Sequence, residues 1–312
     1  MRTALFDKKY IENIFDNQGL EKVVHIEEIK RGSINPVFLL NDKYILRIDT
    51  GDSDNKDKFK KEAILFGTLP KFSIPVPEVI IFDDSCNLIE YPFILMEYIE
   101  GKDLKDVFVE QSHETQQQLS SELGILARKI HSVTANDLYN NAIFGNIDQW
   151  VEKEKYNYAK YWKLVKQGNQ LSNEISDEIE KTFSNYQQIS RWKGVGRLIH
   201  GDFSCGNIKI NDGHIVGIFD FEFAGIGDPL YDLQKSPISF QLGADFDKCL
   251  FMNSYTTEEF TDQEKTRLKM YSLIQGLWEI WATETKQLPY GQKEIEEGKQ
   301  LITNAIKDKN FL

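Results

Sequence analysis

The residue types that could do chemistry together fall in one stretch, His200-Gly201-Asp202-Phe203-Ser204-Cys205-Gly206-Asn207, followed shortly by Ile218-Phe219-Asp220-Phe221-Glu222. A hydroxyl is a poor nucleophile at neutral pH. A carboxylate beside it can orient it and accept its proton, and Asp202 is the first candidate for that general base. Asn207 and Asp220 offer hard oxygen ligands, the type magnesium prefers while it keeps waters and phosphate oxygens in the rest of its shell. His200 would hold the loop. A base and two metal ligands are the parts needed to move a nucleotide phosphoryl group onto a hydroxyl. The plainer reading is a His-Gly-Asp turn that caps local structure, with Asn207 as one more turn former. Asp220, with Gly227-Asp228-Pro229 behind it, favours the chemical reading.

These residues need a scaffold, and the first third of the chain reads mainly as strands. Val23 to Ile29, Pro36 to Leu40 and Lys43 to Ile48 are β-rich, and Asn41-Asp42 is a hairpin connection. Phe59 to Leu69 carries apolar residues at helical spacing and ends at Pro75 and Pro77; Phe93 to Tyr98 is another apolar strand. After Gly101 the pattern becomes helical. Leu119, Leu123, Leu126 and Ile130 predict a buried helix over Gln116 to Ser132, and Trp150 to Gln167 and Glu174 to Gln188 predict two more. Short strands at Leu198 to Ile199, Ile208 to Ile210 and Ile215 to Phe219 flank the chemical loop, and the chain from Phe246 onward is again largely helical. The expected architecture is α+β, with a mainly β part over residues 1–98 and a larger, mainly helical part over 99–312.

With 312 residues and a formal charge of -12, the chain lacks the general basic field that grips nucleic acid or an anionic membrane, and a neutral or cationic partner fits better. Cys86, Cys205 and Cys249 are widely separated and odd in number, which supports neither a disulfide framework nor a cysteine zinc site and suits a reducing cytoplasm. Met1 to Phe15 reads as a mixed polar segment without a leader pattern, and no stretch approaches the roughly 20 apolar residues of a membrane span. A cytoplasmic protein without membrane or nucleic-acid partners is expected.

The run from His200 to Leu233, with Gly227-Asp228-Pro229-Leu230-Tyr231-Asp232-Leu233 at its end, resembles the signature of the aminoglycoside phosphotransferase family, kinase-like enzymes that phosphorylate small molecules. Leu126-Ala127-Arg128-Lys129-Ile130-His131 is similar to the family's Leu-Ala-x-x-Leu-His helix, and Phe221-Glu222 stands where protein kinases have Phe-Gly. The resemblance implies a bilobal protein-kinase-like fold, ATP or GTP as phosphoryl donor, Mg2+ held by Asn207 and Asp220, and Asp202 as base. It places Ser33 in a loop over the phosphates and Ile45 in the adenine pocket. It sets Arg47 in place of the usual phosphate-binding Lys, paired with Glu62, and puts the Glu97 carbonyl and the Ile99 N–H on the purine edge. Arg has a wider, permanently charged fork than Lys, so this is a departure from the family pattern. A surface ion pair, a plain Gly32-Ser33 turn and a plain buried strand at Met96 to Ile99 would explain the same residues.

Asp228 and Asp232 read as structural acceptors of backbone N–H bonds. Glu222, Asp245, Asp247, Glu279 and Glu284, with Trp278 and Trp281, lie where the family gathers acceptor contacts; with the acidic charge they suit a hydroxylated, cationic small molecule, foremost an aminoglycoside-type antibiotic. Choline, fructosamine or homoserine types of metabolic kinase remain open. So do a phosphohydrolase binding two metals through Asp202, Asp220 and Glu222, and a silent nucleotide-binding protein.

Overall fold

The computed structural model describes residues 8–29, 35–51, 57–139, 141–189, 196–234, 242–285 and 291–307. It opens with helix α1 (Lys8–Asn17), within the segment that composition alone reads as polar. Its three buried residues, Ile11, Ile14 and Phe15, lie at i, i+3 and i+4, a stripe too narrow to stand out against charged neighbours yet wide enough to seal one face of a sheet. Strands β1 (Ile26–Glu28), β2 (Val37–Leu40) and β3 (Tyr44–Ile48) follow. At the β2–β3 turn Asn41 and Asp42 both take positive φ, 52° and 56°, as a tight hairpin of the right twist requires. Asn41 also accepts the backbone N–H groups of Val24 and His25, which ties the preceding segment to the turn.

Helix α2 (Lys58–Thr68) and strands β4 (Val79–Asp83) and β5 (Phe93–Glu97) complete a five-stranded antiparallel sheet in the order β1-β2-β3-β5-β4. The pleat sorts its residues. Phe38, Leu40, Leu46, Ile48, Phe93 and Leu95 pack with α1, while Ile94 and Met96 join the main core on the other face, with Ile45 packed against it.

The helical part begins with β6 (Lys102–Asp103), α3 (Leu104–Val107), α4 (His113–Ile130), α5 (Ile147–Gln167) and α6 (Asn173–Ile189). Strands β7 (Arg197–Ile199), β8 (Ile208–Asn211), β9 (His214–Ile218) and β10 (Gly225–Gly227) carry the chemical loop, and α7 (Lys248–Tyr255), α8 (Asp262–Glu284) and α9 (Gln292–Lys307) close the fold. Asn146 and Thr261 start α5 and α8 with reciprocal capping boxes, satisfying backbone donors that would otherwise be orphaned. Where α8 meets α9, a Cβ on Gly276 would lie 2.6 Å from the Gly298 carbonyl oxygen and one on Gly298 would lie 2.7 Å from that of Gly276, so this crossing needs glycine on both helices.

The molecule is therefore a mixed α+β fold with a sheet-rich N-terminal part and a helical C-terminal part. Among the described residues no helix is long and apolar enough to cross a membrane.

Candidate active site

The chemical loop is fixed from below by buried side chains. His200 Nδ1 accepts the Asp202 N–H at 3.3 Å and its Nε2 donates to the Phe219 carbonyl at 2.8 Å. A carbonyl only accepts and an amide N–H only donates, so the neutral Nε2–H tautomer is the one that satisfies both. Asp232, fully buried, accepts the N–H groups of His200 (2.6 Å) and Gly201 (2.9 Å) and the ring of His131 (3.1 Å). Burial pushes its carboxyl up, but the His131 bond and the nearby His131 and His200 rings prevail and hold it below the usual carboxylate range. The Leu126–His131 segment thus contributes its histidine as an anchor of the loop. Asp228 is structural as well: Arg267 lies 2.8 Å away and Tyr271 donates to it at 2.7 Å. Gly201 has φ +81°, and a Cβ there would lie 2.5 Å from the Phe223 carbonyl oxygen, so the bend before Asp202 admits only glycine.

Asn207 donates its carboxamide to both the carbonyl and the Oδ2 of Asp202, each at 3.0 Å, which leaves Asn207 Oδ1 available as an acceptor. The β8–β9 ladder pairs Ile208 with Ile218, and Phe219 N–H bonds the Asn207 carbonyl at 2.9 Å, so Asp220 emerges one residue past the ladder, beside Asn207. Asp220 sits at φ 63°, a left-handed conformation that is uncommon outside glycine and that gathers at functional sites.

From the opposite part, Arg47 on β3 places one guanidinium nitrogen 2.7 Å from both oxygens of Glu62 on α2 and another 3.5 Å from Asp220 Oδ1. The Phe59 ring lies 5.1 Å beneath the guanidinium. Arg47 and Glu62 form an interior pair, where a surface pair would be exposed to water: the Glu62 side chain is 0% exposed and that of Arg47 13%, while Asp220 at 40% opens to the cleft. Burial raises the Glu62 carboxyl against the opposing charge of Arg47, whereas Glu62 and Asp220 outweigh burial at Arg47 and hold it firmly charged.

The cleft between the two parts has a volume of about 710 Å³ and is lined by Ile45, Arg47, Met96, Glu97, Ile99, Asn207 and Asp220 among others. Asp202 is not among the lining residues and joins the cleft through Asn207. Ile99 N–H makes no hydrogen bond within the described residues, and Ser33 lies outside them.

Sequence reasoning missed two polar groups here. Lys209 lines the cleft, donates to the Ile99 carbonyl at 3.3 Å and stacks on Tyr98 at 4.5 Å; its place between Ile208 and Ile210 in an alternating strand was the available signal. Lys58, fully buried at the start of α2, bonds Asp49 at 2.7 Å and Asn35 at 3.3 Å.

The family model of the phosphotransferase enzyme family matches residues 25–248, most of the chain and all of the residues named as lining the cleft. The chain belongs to this family. Acyl-CoA dehydrogenase family member 10 of Mus musculus is 21% identical over 86% of the chain, and the chain spans only 25% of that relative's length. Among solved structures, the GDP and kanamycin complex of APH(2")-IIIa superposes with TM-score 0.72 at 18% identity, covering 96% of this chain and 98% of that one. The streptomycin-ATP-APH(2")-IIa ternary complex superposes with TM-score 0.63 at 16% identity, covering 96% of each. The fold is that of the kinase-like aminoglycoside phosphotransferases.

Within this family frame the donor set fits magnesium. Asn207 Oδ1 and the Asp220 carboxylate supply two hard oxygens, and Mg2+ characteristically takes one or two protein ligands together with substrate phosphates and water. Among the described residues no group of three or more His, Cys, Asp or Glu is arranged to hold a metal alone, as a two-metal hydrolase would need. Burial, then the charges of Asp220 and Glu62, push the Glu222 carboxyl up to about 7 against Arg47 and Lys58.

The acceptor candidates separate. Asp247 caps α7 through Leu250 N–H, Glu284 accepts from Gln170 at 2.7 Å, and Asp245 is exposed, so none of these three carries the mark of a binding group. Trp281 packs on Tyr161 at 5.0 Å with Lys160 over its ring at 4.2 Å, and Trp278 packs against the core. Glu279 differs. It is half-buried, its carboxylate accepts among the described residues only from Gln275, at 2.8 Å, and it feels Glu297, Glu294 and Asp202; burial first and these like charges next push its carboxyl up to about 7. Cys205, buried in the loop, has its thiol pushed up to about 12 by burial and is a packing residue.

Proposed function

We propose that the protein transfers the γ-phosphate of ATP or GTP to a hydroxyl of a small cationic molecule, with an aminoglycoside-type antibiotic as the first acceptor class. The observation that carries this reading is the gathering, across one cleft, of a carboxylate bonded to Asn207 and a second carboxylate bonded to Arg47. Asp202 faces the acceptor hydroxyl and takes its proton as the oxygen attacks phosphorus. Asn207 and Asp220 would hold Mg2+, which when bound neutralises charge on the nucleotide phosphates. Arg47 bonds phosphate oxygens and is held for that task by Glu62. The Glu97 carbonyl and the Ile99 N–H meet the purine edge, and Ile45 and Met96 cover its faces. Residues 1–98 act as the nucleotide lobe and 99–312 as the catalytic and acceptor lobe.

The cationic acceptor is supported by Glu279, a carboxyl set near Asp202, Glu294 and Glu297 with no cation paired to it among the described residues. An ammonium group placed there would relieve burial and repulsion together. The solved complexes of APH(2")-IIIa with kanamycin and of APH(2")-IIa with streptomycin support an aminoglycoside-type acceptor. The deciding experiment is an acceptor screen at fixed ATP and magnesium, with GTP in parallel, covering aminoglycosides, macrolides, choline, amino alcohols and glycated amines. Turnover confined to neutral or anionic acceptors would overturn the acceptor class; no phosphoryl transfer to any hydroxyl would overturn the reaction.

A further inference from the structure

A second cavity, of about 220 Å³, lies between α2, the first turns of α5 and the segment from Phe223 to Ile226, and shares no lining residue with the nucleotide cleft. Its charged lining residues are Lys61 from α2 and Lys153 from α5, and no carboxylate lines it. In a chain with 49 acidic and 37 basic residues, two lysines alone on one cavity are a local reversal of the overall charge. Lys61 donates to the Ala224 carbonyl at 3.1 Å, which leaves two of its three ammonium donors without a partner among the described residues. Lys153 has neither a hydrogen bond nor an ion pair among them. Burial and the charge of Lys153 lower the Lys61 ammonium from its usual range, and only Asp57 opposes them. The other walls include the aromatic Phe144, Trp150, Phe223 and Tyr231 and the neutral polar Asn146 and Gln149, so the lysines meet no opposing charge there.

Two converging ammonium groups with unused donors and no carboxylate between them are a setting that an anion stabilises: it pairs both charges and satisfies the donors. The volume is below the roughly 300 Å³ at which pockets begin to hold drug-sized ligands, and it suits a phosphate group with at most a small organic body. We propose that this cavity is a binding site for inorganic phosphate or a small phosphate monoester, and that its occupant fastens α2 to the catalytic lobe. Lys61 immediately precedes Glu62, the partner of Arg47, and Ala224 follows the Asp220–Phe223 segment. An anion held by Lys61 and Lys153 therefore ties the Arg47 support to the lobe that carries Asp220. Because coupling is reciprocal, phosphate in this cavity and order in α2 favour one another.

The test is calorimetric titration of inorganic phosphate into the full chain at constant ionic strength, with chloride as the matched control, for the parent, Lys153→Gln, Lys61→Gln and Lys209→Gln. Lys153 is exposed, so its substitution leaves folding intact; Lys209 reports the nucleotide cleft instead. Saturable binding in the parent that weakens about tenfold or more in Lys153→Gln and Lys61→Gln, the scale of one lost charge-assisted bond, and persists in Lys209→Gln is the expected result. Hydrogen exchange in α2 should slow with phosphate in the parent and not in Lys153→Gln. No saturable binding, equal binding in Lys153→Gln, or loss in Lys209→Gln alone would overturn the site. Unchanged exchange in α2 would overturn the fastening. None of these readouts depends on phosphoryl transfer, so the proposal stands or falls apart from the reaction assigned above.

Discussion

The Arg47–Glu62 pair at the cleft and the Glu279 region on α8 handle charge removed from water differently, although Glu222 beside the cleft is also pushed up to about 7. Around the nucleotide cleft each carboxylate that is deeply buried has a cation already in place: Glu62 holds Arg47 with both oxygens, and Asp49 holds Lys58. On the proposed acceptor side the half-buried Glu279 carboxylate accepts, among the described residues, only the Gln275 amide, and burial with the charges of Glu297, Glu294 and Asp202 pushes its carboxyl up to about 7. On the function proposed above, a pre-paired cluster suits a ligand of constant charge, the nucleotide phosphate chain. A carboxylate cluster without its own cation leaves the final pairing to the acceptor. On that reading preorganisation serves the donor and selectivity the acceptor.

The largest effect should come from the group that touches both substrates' chemistry. Asp202→Ala is expected to lower turnover on the order of a hundredfold or more while nucleotide affinity stays near the parent's, because the base faces the acceptor hydroxyl and not the purine. Near-normal turnover in a folded Asp202→Ala protein would remove the base from this position. Asp220→Ala should act one step earlier. With that oxygen gone, magnesium no longer strengthens nucleotide binding, so titrations of ATP with and without Mg2+ should coincide in the variant and differ in the parent. A preserved magnesium effect would place the metal elsewhere.

Arg47 tests the pre-paired side directly. Arg47→Ala strips the cation from Glu62 in the interior, a change that costs about 3–5 kcal/mol when a buried pair loses one partner, and should weaken both folding and nucleotide binding. Arg47→Lys keeps the charge but loses the fork whose one nitrogen meets Glu62 and whose other reaches toward Asp220, so its nucleotide affinity should fall between Ala and the parent. Thermal unfolding and nucleotide titration of the three proteins decide the point. Equal values throughout would show that the pair contributes nothing to either.

The contrast between the two sides was only half visible in the chain. Asp202, Asn207 and Asp220 were legible because they lie on one loop and the hairpin after it, where local spacing fixes their approach. The period of two in β3 set Ile45 and Arg47 on one face, and the family resemblance supplied the pairing of Arg47 with Glu62, which the structure forms at 2.7 Å. Distance along the chain hid the rest. Lys58 reaches Asn35 and Asp49 through tertiary folding alone, and β4 and β10 are too short or too evenly half-buried to announce themselves. Glu279 and Glu284 are five residues apart on α8 and so point about 140° apart around its axis; which of them faces the loop depends on how α8 packs, and no local pattern carries that phase. Asp247 was readable as a helix cap, since an Asp immediately before an apolar helical run is a standard N-cap.

The smallest expected effect sharpens the acceptor side. With a folded-state carboxyl near 7 and an ordinary value of 4.5, Glu279 binds more protons in the folded chain than in the unfolded chain between those limits. Stability contributed by the protonated form is therefore present below about pH 4.5 and is lost as pH rises toward 7, then stays level. Glu279→Gln cannot ionise, so it should be more stable than the parent above pH 7, by on the order of 1 kcal/mol after allowance for partial exposure, and should approach the parent in acid. Binding should run the other way. A cationic acceptor needs the ionised carboxylate, so the parent's acceptor KM should fall as pH rises through about 7, while that of Glu279→Gln should be higher and flat across the same range. Salt should raise the parent's acceptor KM more than its nucleotide KM, because the acceptor is drawn by charges partly open to solvent, screened beyond about 8 Å at physiological ionic strength. Melting curves and steady-state kinetics across pH 5 to 9, roughly the window in which this carboxyl changes charge, measure both arms. If Glu279→Gln gains stability but leaves the acceptor KM and its pH dependence unchanged, Glu279 is a buried acid of the core and the acceptor is recognised elsewhere. If it loses acceptor affinity and gains stability together, the acceptor's own cation completes the cluster that the fold leaves unpaired.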